Sequence, residues 1–249
     1  MIESRHMLKL CEATERLYDT FAPYRIGTEP VACDYCVSPE KVARLTAKPL
    51  RDLTYDDLEL YASKAMTTWG DERHFKHFLP RLMELAVDHR DDFLDLAVLF
   101  GKLRYAQWLS WPPGEVKAVD AFLREYWAYQ LSLDIDSPFD VAIDTVLCSE
   151  ASAFDSVQPL LAMWLADESH TANKHLAAFV LGNGDSLLRK QRLVNAFWES
   201  ERPPHREVLC WLASPEVSAY LGNATLPDEF VPAKYQLELL RAVLPTGSA

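Results

Sequence analysis

Apolar residues recur every three or four positions along most of this 249-residue chain, which is the spacing of one face of an α-helix. The clearest example lies between Lys48 and Asp88. The apolar positions of its first half are Leu58, Tyr61, Ala62, Ala65 and Trp69. Those of its second half are Phe75, Phe78, Leu79, Leu82, Leu85 and Ala86. Two such stripes joined by a short Trp-Gly-Asp turn predict an antiparallel helical hairpin.

Local signals fix where the two helices of this hairpin begin and end. Thr54 and Asp57 have the spacing of a capping box, in which a hydroxyl and a carboxylate bond the free amides of the first helical turn. Gly70 stands where a glycine ends a helix, and Asp71 can cap the next helix. Pro80 falls on the polar side of the second helix and should kink or restart it, since proline lacks the backbone donor.

The same pattern of caps, prolines and apolar stripes continues to the end of the chain. It predicts about eleven helices, including one from Ser137 to Cys148 and a break at Gly182-Asn183-Gly184, after which Asp185 begins a new helix. The 36 Leu and 28 Ala residues far outnumber the 4 Ile residues, which favours helices over strands. We therefore expect an all-α fold, a multi-helix bundle or a stacked-hairpin α-solenoid-like array.

We expect one helical domain over residues 1–249, with a soft internal boundary near 132–137. The apolar runs are shorter than the roughly 20 residues of a membrane span, and the N-terminus is not a secretory signal, so no membrane is expected. His6-Met7 has the form of a cloning junction, which would make Met7 the natural start. Five cysteines do not suggest a disulfide framework, and a cytoplasmic location is the simplest expectation.

The two halves of the chain differ in net charge. The formal net charge is −12, of which residues 1–133 carry −4 and residues 134–249 carry −8. No lysine or arginine occurs between Arg124 and Lys174, a stretch that holds nine acidic residues. A helix-turn-helix DNA reader needs a basic surface for the phosphates, so this acidity argues against nucleic-acid binding.

The base-free stretch is the predicted surface for docking a basic partner protein, because such a field accelerates the approach of opposite charge. The six carboxylates assigned to it are Asp134, Asp136, Asp140, Asp144, Glu150 and Asp155. Three neighbouring aromatic residues are candidate anchors, although aromatic residues in helices more often belong to the core: Tyr126, Trp127 and Tyr129. The alternative without a binding function is an acidic face that only maintains solubility. A calcium loop starting at Asp134 is discarded, since glycine is missing at its sixth position and glutamate at its twelfth.

A second constellation combines Cys33 and Cys36, a Cys-x-x-Cys pair, with His74 and His77 on the second hairpin helix. Two thiolates and two imidazoles form a tetrahedral zinc set, so zinc is the candidate cofactor. The alternative is a thiol pair without metal. A thioredoxin-type redox pair fits less well, because no βαβ pattern surrounds the cysteines. Hydrolase and phosphate-loop motifs are missing from the sequence, which names no catalytic residue.

Four segments of the chain resemble an uncharacterised family of bacterial helical proteins. They are the Cys-x-x-Cys pair, the run PLRDLTYDDLELYASKAMTTWGDERHFKHFLPRL, and the later segments GKLRYAQWLSWPPGE and AFLREYW. The resemblance covers about Cys33 to Trp127, and TTWG and FKHFLPRL match best. His74 is less typical of that family than His77, which weakens a site that needs both. The family has no settled activity, so the resemblance implies a bacterial, cytoplasmic, all-helical protein and no mechanism.

Two functions from different classes follow from these patterns. The first is a non-enzymatic binding protein whose acidic half docks a basic partner, as an immunity protein that neutralises a bacterial toxin does. The second is an enzyme or sensor built on a zinc site at the Cys-x-x-Cys loop. A helical scaffold without a dedicated ligand is the remaining alternative.

Overall fold

The structure is a computed structural model that describes residues 2–26, 32–33, 37–87 and 95–245. These residues form twelve α-helices and no named strand, so the predicted all-α fold is confirmed. The chain divides into two compact units inside one helix, between Tyr126 and Trp127. We call Ser4–Tyr126 the N-terminal unit and the residues from Trp127 onward the C-terminal unit.

The N-terminal unit is built from five helices and the first part of a sixth. They are α1 (Ile2–Phe21), α2 (Pro39–Thr46), α3 (Tyr55–Lys64), α4 (Glu72–Val87), α5 (Leu96–Tyr105) and α6 (Pro113–Ser132). Asp95 caps α5 by accepting a hydrogen bond from the amide of Ala97.

The predicted hairpin consists of α3 and α4. Its capping box forms as expected, since the Thr54 amide and hydroxyl both lie 2.9 Å from the Asp57 carboxylate. Gly70 adopts the left-handed conformation at φ +68° between the helices, and Asp71 caps α4 through the amide of His74 at 3.0 Å. Pro80 is buried within a continuous α4, so the predictions that it lies on the polar side and that it restarts the helix were wrong.

A buried lysine bridges one buried and one exposed carboxylate in the N-terminal unit. The Lys76 ammonium lies 2.8 Å from the Glu72 carboxylate, 2.9 Å from that of Glu115 and 4.3 Å from the centre of the Trp111 ring. The Tyr24 hydroxyl donates to the other Glu115 oxygen at 2.5 Å. Each charge therefore has opposite charge, hydrogen bonds or a ring face around it, which offsets the cost of its burial.

The C-terminal unit contains the end of α6 and six further helices. They are α7 (Ile143–Ala153), α8 (Gln158–Ala166), α9 (His170–Lys190), α10 (Pro203–Leu212), α11 (Pro215–Asn223) and α12 (Pro232–Arg241). None of the helices in the described part of the chain combines the length and apolar character needed to cross a bilayer.

The longest helix of this unit overturns the prediction of a break at Gly182-Asn183-Gly184. Helix α9 runs through these residues without interruption. A Cβ atom at Gly184 would lie 2.2 Å from the side-chain nitrogen of Gln236 on α12. The Gln236 side chain thus occupies the space that a Cβ atom at Gly184 would take, and the glycine makes no turn here.

Aromatic side chains fill the core of the C-terminal unit. The Trp164 ring packs against Trp127, Phe179 and Trp211 with centroids 5.2 to 5.9 Å apart. The idea that Tyr126, Trp127 and Tyr129 anchor a partner was wrong, because all three are at most 4% exposed.

Candidate functional site

The six carboxylates of the predicted docking surface lie in three different environments. Asp134, Asp136 and Asp155 are exposed. Asp134 pairs with the ammonium of Lys174 at 2.7 Å, and Asp155 lies 3.3 Å from the guanidinium of Arg202. The Arg202 side chain also donates to the last carbonyl groups of α7, so Asp155 belongs to a helix-capping arrangement.

The other three carboxylates turn inward. Glu150 is completely buried in α7 and forms no part of any surface, which corrects its assignment to the docking set. Asp140 and Asp144 face a cavity of about 300 Å³ within the C-terminal unit. The residues that line this cavity are Ile135, Asp140, Ala142, Ile143, Asp144, His175, Ala178, Phe179, Gly182, Asn183 and Val194.

Helical periodicity explains how one wall of this cavity forms. His175, Phe179 and Asn183 are spaced by four residues along α9 and therefore share a face of the helix. Ile143 and Asp144 come from the first turn of α7, where Asp144 lies near the positive end of the helix dipole. The remaining walls come from the loop 133–142 and from Val194.

The loop 133–142 is held in place by buried polar groups. The completely buried Gln130 side chain accepts a hydrogen bond from the Val141 amide at 3.0 Å and donates to the Phe139 carbonyl at 3.4 Å. The Leu133 carbonyl lies 3.1 Å from Nε2 of His175 and accepts its hydrogen. These bonds fix the backbone on both sides of Asp140.

Asp140 is the most unusual carboxylate of the cavity. Its side chain is 8% exposed, and Oδ1 has no hydrogen-bond partner among the described residues. Nε2 of His175 is 3.8 Å away, which is beyond hydrogen-bond distance. Burial and the neighbouring charges of Asp134 and Asp136 raise the pKa of Asp140 to about 7.

The other polar groups of the cavity have partners. Asp144 Oδ1 accepts from the Asn183 amide at 3.2 Å and from Nε1 of Trp198 at 3.4 Å. Burial raises the pKa of Asp144, and these hydrogen bonds oppose the rise. Burial also lowers the pKa of His175, so the imidazole is neutral at pH 7 and does not neutralise Asp140.

This arrangement combines a carboxyl group whose pKa is raised to about 7 with a cavity whose walls are mainly apolar. Such a group can bind a cation or exchange a proton at physiological pH. Sequence reasoning assigned Asp140 and Asp144 to the surface and missed His175 and Asn183. The four-residue spacing on α9 was a usable signal, but nothing local connects it with a loop some 35 residues earlier.

Two segments that contribute to the lining of the cavity also carry exposed apolar side chains. Phe139 is 41% exposed beside Asp140, while Val194 and Phe197 are 59% and 42% exposed on the segment after α9. We define the acidic rim as Asp134, Asp136 and Phe139 of the loop 133–142 together with Val194 and Phe197. Both segments contribute to the lining of the same cavity, through Asp140 and Val194.

The predicted zinc ligands are partly described. Cys36 lies outside the described residues. Cys33 is exposed and lines a cleft of about 470 Å³ that it shares with Asp71 and His74. His77 does not line this cleft.

Both histidines use Nδ1 for local contacts. That of His74 lies 2.6 Å from the Asp71 carboxylate, and that of His77 lies 2.6 Å from the Tyr24 carbonyl. Within the described ranges, no three His, Cys, Asp or Glu side chains come together as a metal-binding group. A zinc site at Cys33, Cys36, His74 and His77 stays a prediction, which elemental analysis of protein purified without chelator tests.

Comparisons with protein-family models, with curated proteins and with solved structures find no significant match for this chain.

Proposed function

We propose that this protein is a non-enzymatic binding protein whose acidic rim docks a basic partner protein. The observation that supports this function is the combination of charge and apolar surface on the rim. Asp134, Asp136 and the large apolar side chain of Phe139 are exposed on the loop 133–142, and Val194 and Phe197 are exposed on the segment after α9. Aromatic anchors inside a polar margin are the features that carry most of the energy in protein interfaces.

The charge distribution favours a basic partner. The stretch between Arg124 and Lys174 contains no lysine or arginine, and Lys174 itself is paired with Asp134. Acidic side chains at the edge of an interface mainly raise the association rate and suppress partners of like charge. The rim therefore selects basic partners and depends on salt, since the Debye length is about 8 Å at physiological ionic strength.

The specific form of this proposal is an immunity-type role in the bacterial cytoplasm, in which the rim covers a basic toxin. It rests on the acidity of the chain, on the absence of a catalytic motif from its sequence and on the family resemblance. The toxin would be the product of a neighbouring gene, so the purified neighbouring product is the first partner to test.

The rim is tested by reversing two charges and measuring the affinity for that product. Asp134→Lys combined with Asp136→Lys should weaken binding about tenfold or more, mainly through slower association, and should flatten its dependence on salt. The matched control is Asp228→Lys combined with Glu229→Lys, which changes the net charge equally at two exposed positions of another segment.

The two variants separate the rim from general acidity. If both weaken binding equally, the partner responds to net charge and the rim is not the docking surface. If neither weakens it, the proposal is wrong.

Phe139→Ser and Phe197→Ser test the apolar side chains of the rim, and each should cost about 1–2 kcal/mol of binding free energy through faster dissociation.

A further inference from the structure

The cavity behind the acidic rim has the properties of a separate binding site. Its volume of about 300 Å³ is at the lower end of the range for small-molecule sites in proteins. Asp140 lines this cavity with a side chain that is 92% buried, and Oδ1 accepts no hydrogen bond from any described residue. A buried acceptor without a donor is costly, and a ligand that supplies the donor removes that cost.

The charge inside the cavity determines the sign of its ligand. Two carboxylates line it, those of Asp140 and Asp144, and none of its lining residues is a lysine or an arginine. Lys174 lies on the same helix as His175, but its ammonium bonds Asp134 at 2.7 Å outside the lining. His175 is buried and neutral, so the cavity lacks positive charge of its own.

The walls determine the shape of that ligand. Ile135, Ile143, Phe179 and Val194 provide apolar surface, and the polar groups are concentrated around Asp140, Asp144 and Asn183. Such a site fits a molecule with an apolar body and one charged end. A bare metal ion fits poorly, because no metal-binding group of three His, Cys, Asp or Glu side chains occurs in the described part of the chain.

We propose that this cavity binds a small organic ammonium ion, with the Asp140 carboxylate as its main anchor. The N–H donors of the ligand satisfy the open Oδ1 oxygen, and the second Asp144 oxygen offers a further acceptor. The hydrocarbon part packs between Ile143 and Phe179. The site is distinct from the charged part of the rim, because Asp134 and Asp136 do not line the cavity, whereas Val194 belongs to both the rim and the cavity lining.

The rival explanation is a neutral ligand that accepts a hydrogen bond from protonated Asp140. The two explanations predict opposite pH dependences. An ammonium ion binds the ionised carboxylate and therefore binds more tightly as the pH rises, whereas a neutral acceptor binds the protonated form and weakens. The charged groups around Asp140 are Asp134 and Asp136 on its own loop, Asp144 on α7 and Lys174 on α9, and the titratable but neutral neighbour is His175 on α9.

The experiment is isothermal titration calorimetry of the full chain with phenethylamine and n-pentylamine, and with phenethyl alcohol as the uncharged isostere of the first. Because the pKa of Asp140 is about 7, the affinity for the amines should rise about tenfold between about pH 6 and pH 8. Phenethyl alcohol should bind at least about tenfold more weakly than phenethylamine at the upper pH.

Two variants complete the test. Asp140→Asn should weaken amine binding at least about tenfold at about pH 8 and remove its pH dependence, while the control Glu229→Gln, at an exposed position that does not line the cavity, should stay within about threefold. Urea unfolding and circular dichroism check that both variants fold. If Asp140→Asn does not fold, the amine-induced shift of the Asp140 carboxyl resonance in the native protein decides instead.

Three results would overturn the inference. They are equal binding of phenethylamine and its alcohol, full amine affinity in folded Asp140→Asn, and no binding of either amine with no shift of the Asp140 resonance. Binding of the alcohol that weakens as the pH rises would assign the cavity to a neutral ligand instead.

Discussion

The two units of this protein bury charged side chains in opposite ways. In the N-terminal unit the buried Lys76 ammonium is paired with the carboxylates of Glu72 and Glu115 and lies over an indole ring, so that the buried charges of this closed network have partners. In the C-terminal unit the Asp140 carboxylate is equally hidden from bulk water, but it faces a cavity and Oδ1 lacks a hydrogen-bond donor within the described residues.

This difference separates architecture from function. A closed network costs the fold little, because each charge gains what its burial loses. We call a buried carboxylate that lacks a hydrogen-bond donor an open carboxylate. Such a group lowers the stability of the fold without any gain in packing, and natural proteins retain such groups mainly where they bind a ligand or take part in a reaction. We therefore interpret Lys76 as a structural residue and Asp140 as a functional one.

The largest expected effect comes from opening the closed network. Lys76→Met should destabilise the protein by about 3–5 kcal/mol, because Glu115 then remains buried without a cation. Urea unfolding measures this change. Adding Glu115→Gln to the same variant should recover more than about 1 kcal/mol, and a purely additive double variant would mean that the pair is not coupled.

The next effect has the opposite sign and concerns Asp140. Its pKa is raised to about 7 in the folded protein, whereas an unfolded aspartate titrates near 3.9. Protonated Asp140 therefore stabilises the fold below pH 4, and this contribution is lost as the pH rises to about 7. Relative to the native protein, Asp140→Asn should gain about 2 kcal/mol of unfolding free energy between about pH 5 and pH 8.

Comparing the two proteins at each pH is essential to this measurement. Burial lowers the pKa values of His77, His175 and His205, so their neutral forms contribute stability above about pH 6.5 that is lost as the pH falls. These contributions are present in both proteins and cancel in the difference. A difference that does not change with pH would mean that Asp140 titrates normally.

Helix caps provide a reference for stability, because the same kind of cap occurs in both units. The Thr54 hydroxyl caps α3 in the N-terminal unit, and the Ser214 hydroxyl accepts from the Val217 amide at 3.3 Å in the C-terminal unit. Thr54→Ala and Ser214→Ala should each cost about 1 kcal/mol in urea unfolding. A much larger loss in one unit would show that the units differ in more than their buried charges.

The smallest effect is expected for the second carboxylate of the cavity. Asp144 already accepts hydrogen bonds from Asn183 and Trp198. Asp144→Asn keeps the shape of the side chain and replaces one carboxylate oxygen with an NH2 group, which donates hydrogen bonds. The free energy of unfolding at pH 8 should therefore change by less than about 1 kcal/mol. A gain as large as that of Asp140→Asn would contradict the distinction between partnered and open carboxylates.

Local sequence signals predicted the hairpin well. The Thr54 capping box, the left-handed Gly70 and the Asp71 cap all occur within a few residues of what they organise. Local signals failed at Gly184, because its role depends on Gln236 in a helix about 50 residues away. The sequence alone does not distinguish a glycine that ends a helix from one that lets another helix approach.

The candidate site shows the same limit. The acidic stretch was recognised, but which carboxylates turn inward depends on α9, which contributes His175 and Asn183 to the cavity. Asp136 and Asp140 have the same chemistry and are four residues apart, yet one is exposed and the other is 92% buried. Long-range packing determines this difference, so composition and charge pattern alone did not reveal it.

The most direct test of an open functional carboxylate is an NMR titration of the aspartate side-chain carboxyl groups, with Asp140→Asn used to assign the Asp140 resonance. We expect a midpoint near the pKa of about 7, and a clear downward shift of that midpoint when phenethylamine is added. A midpoint below about 5 that does not respond to phenethylamine would contradict the account, because Asp140 would then be an ordinary carboxylate with partners of its own.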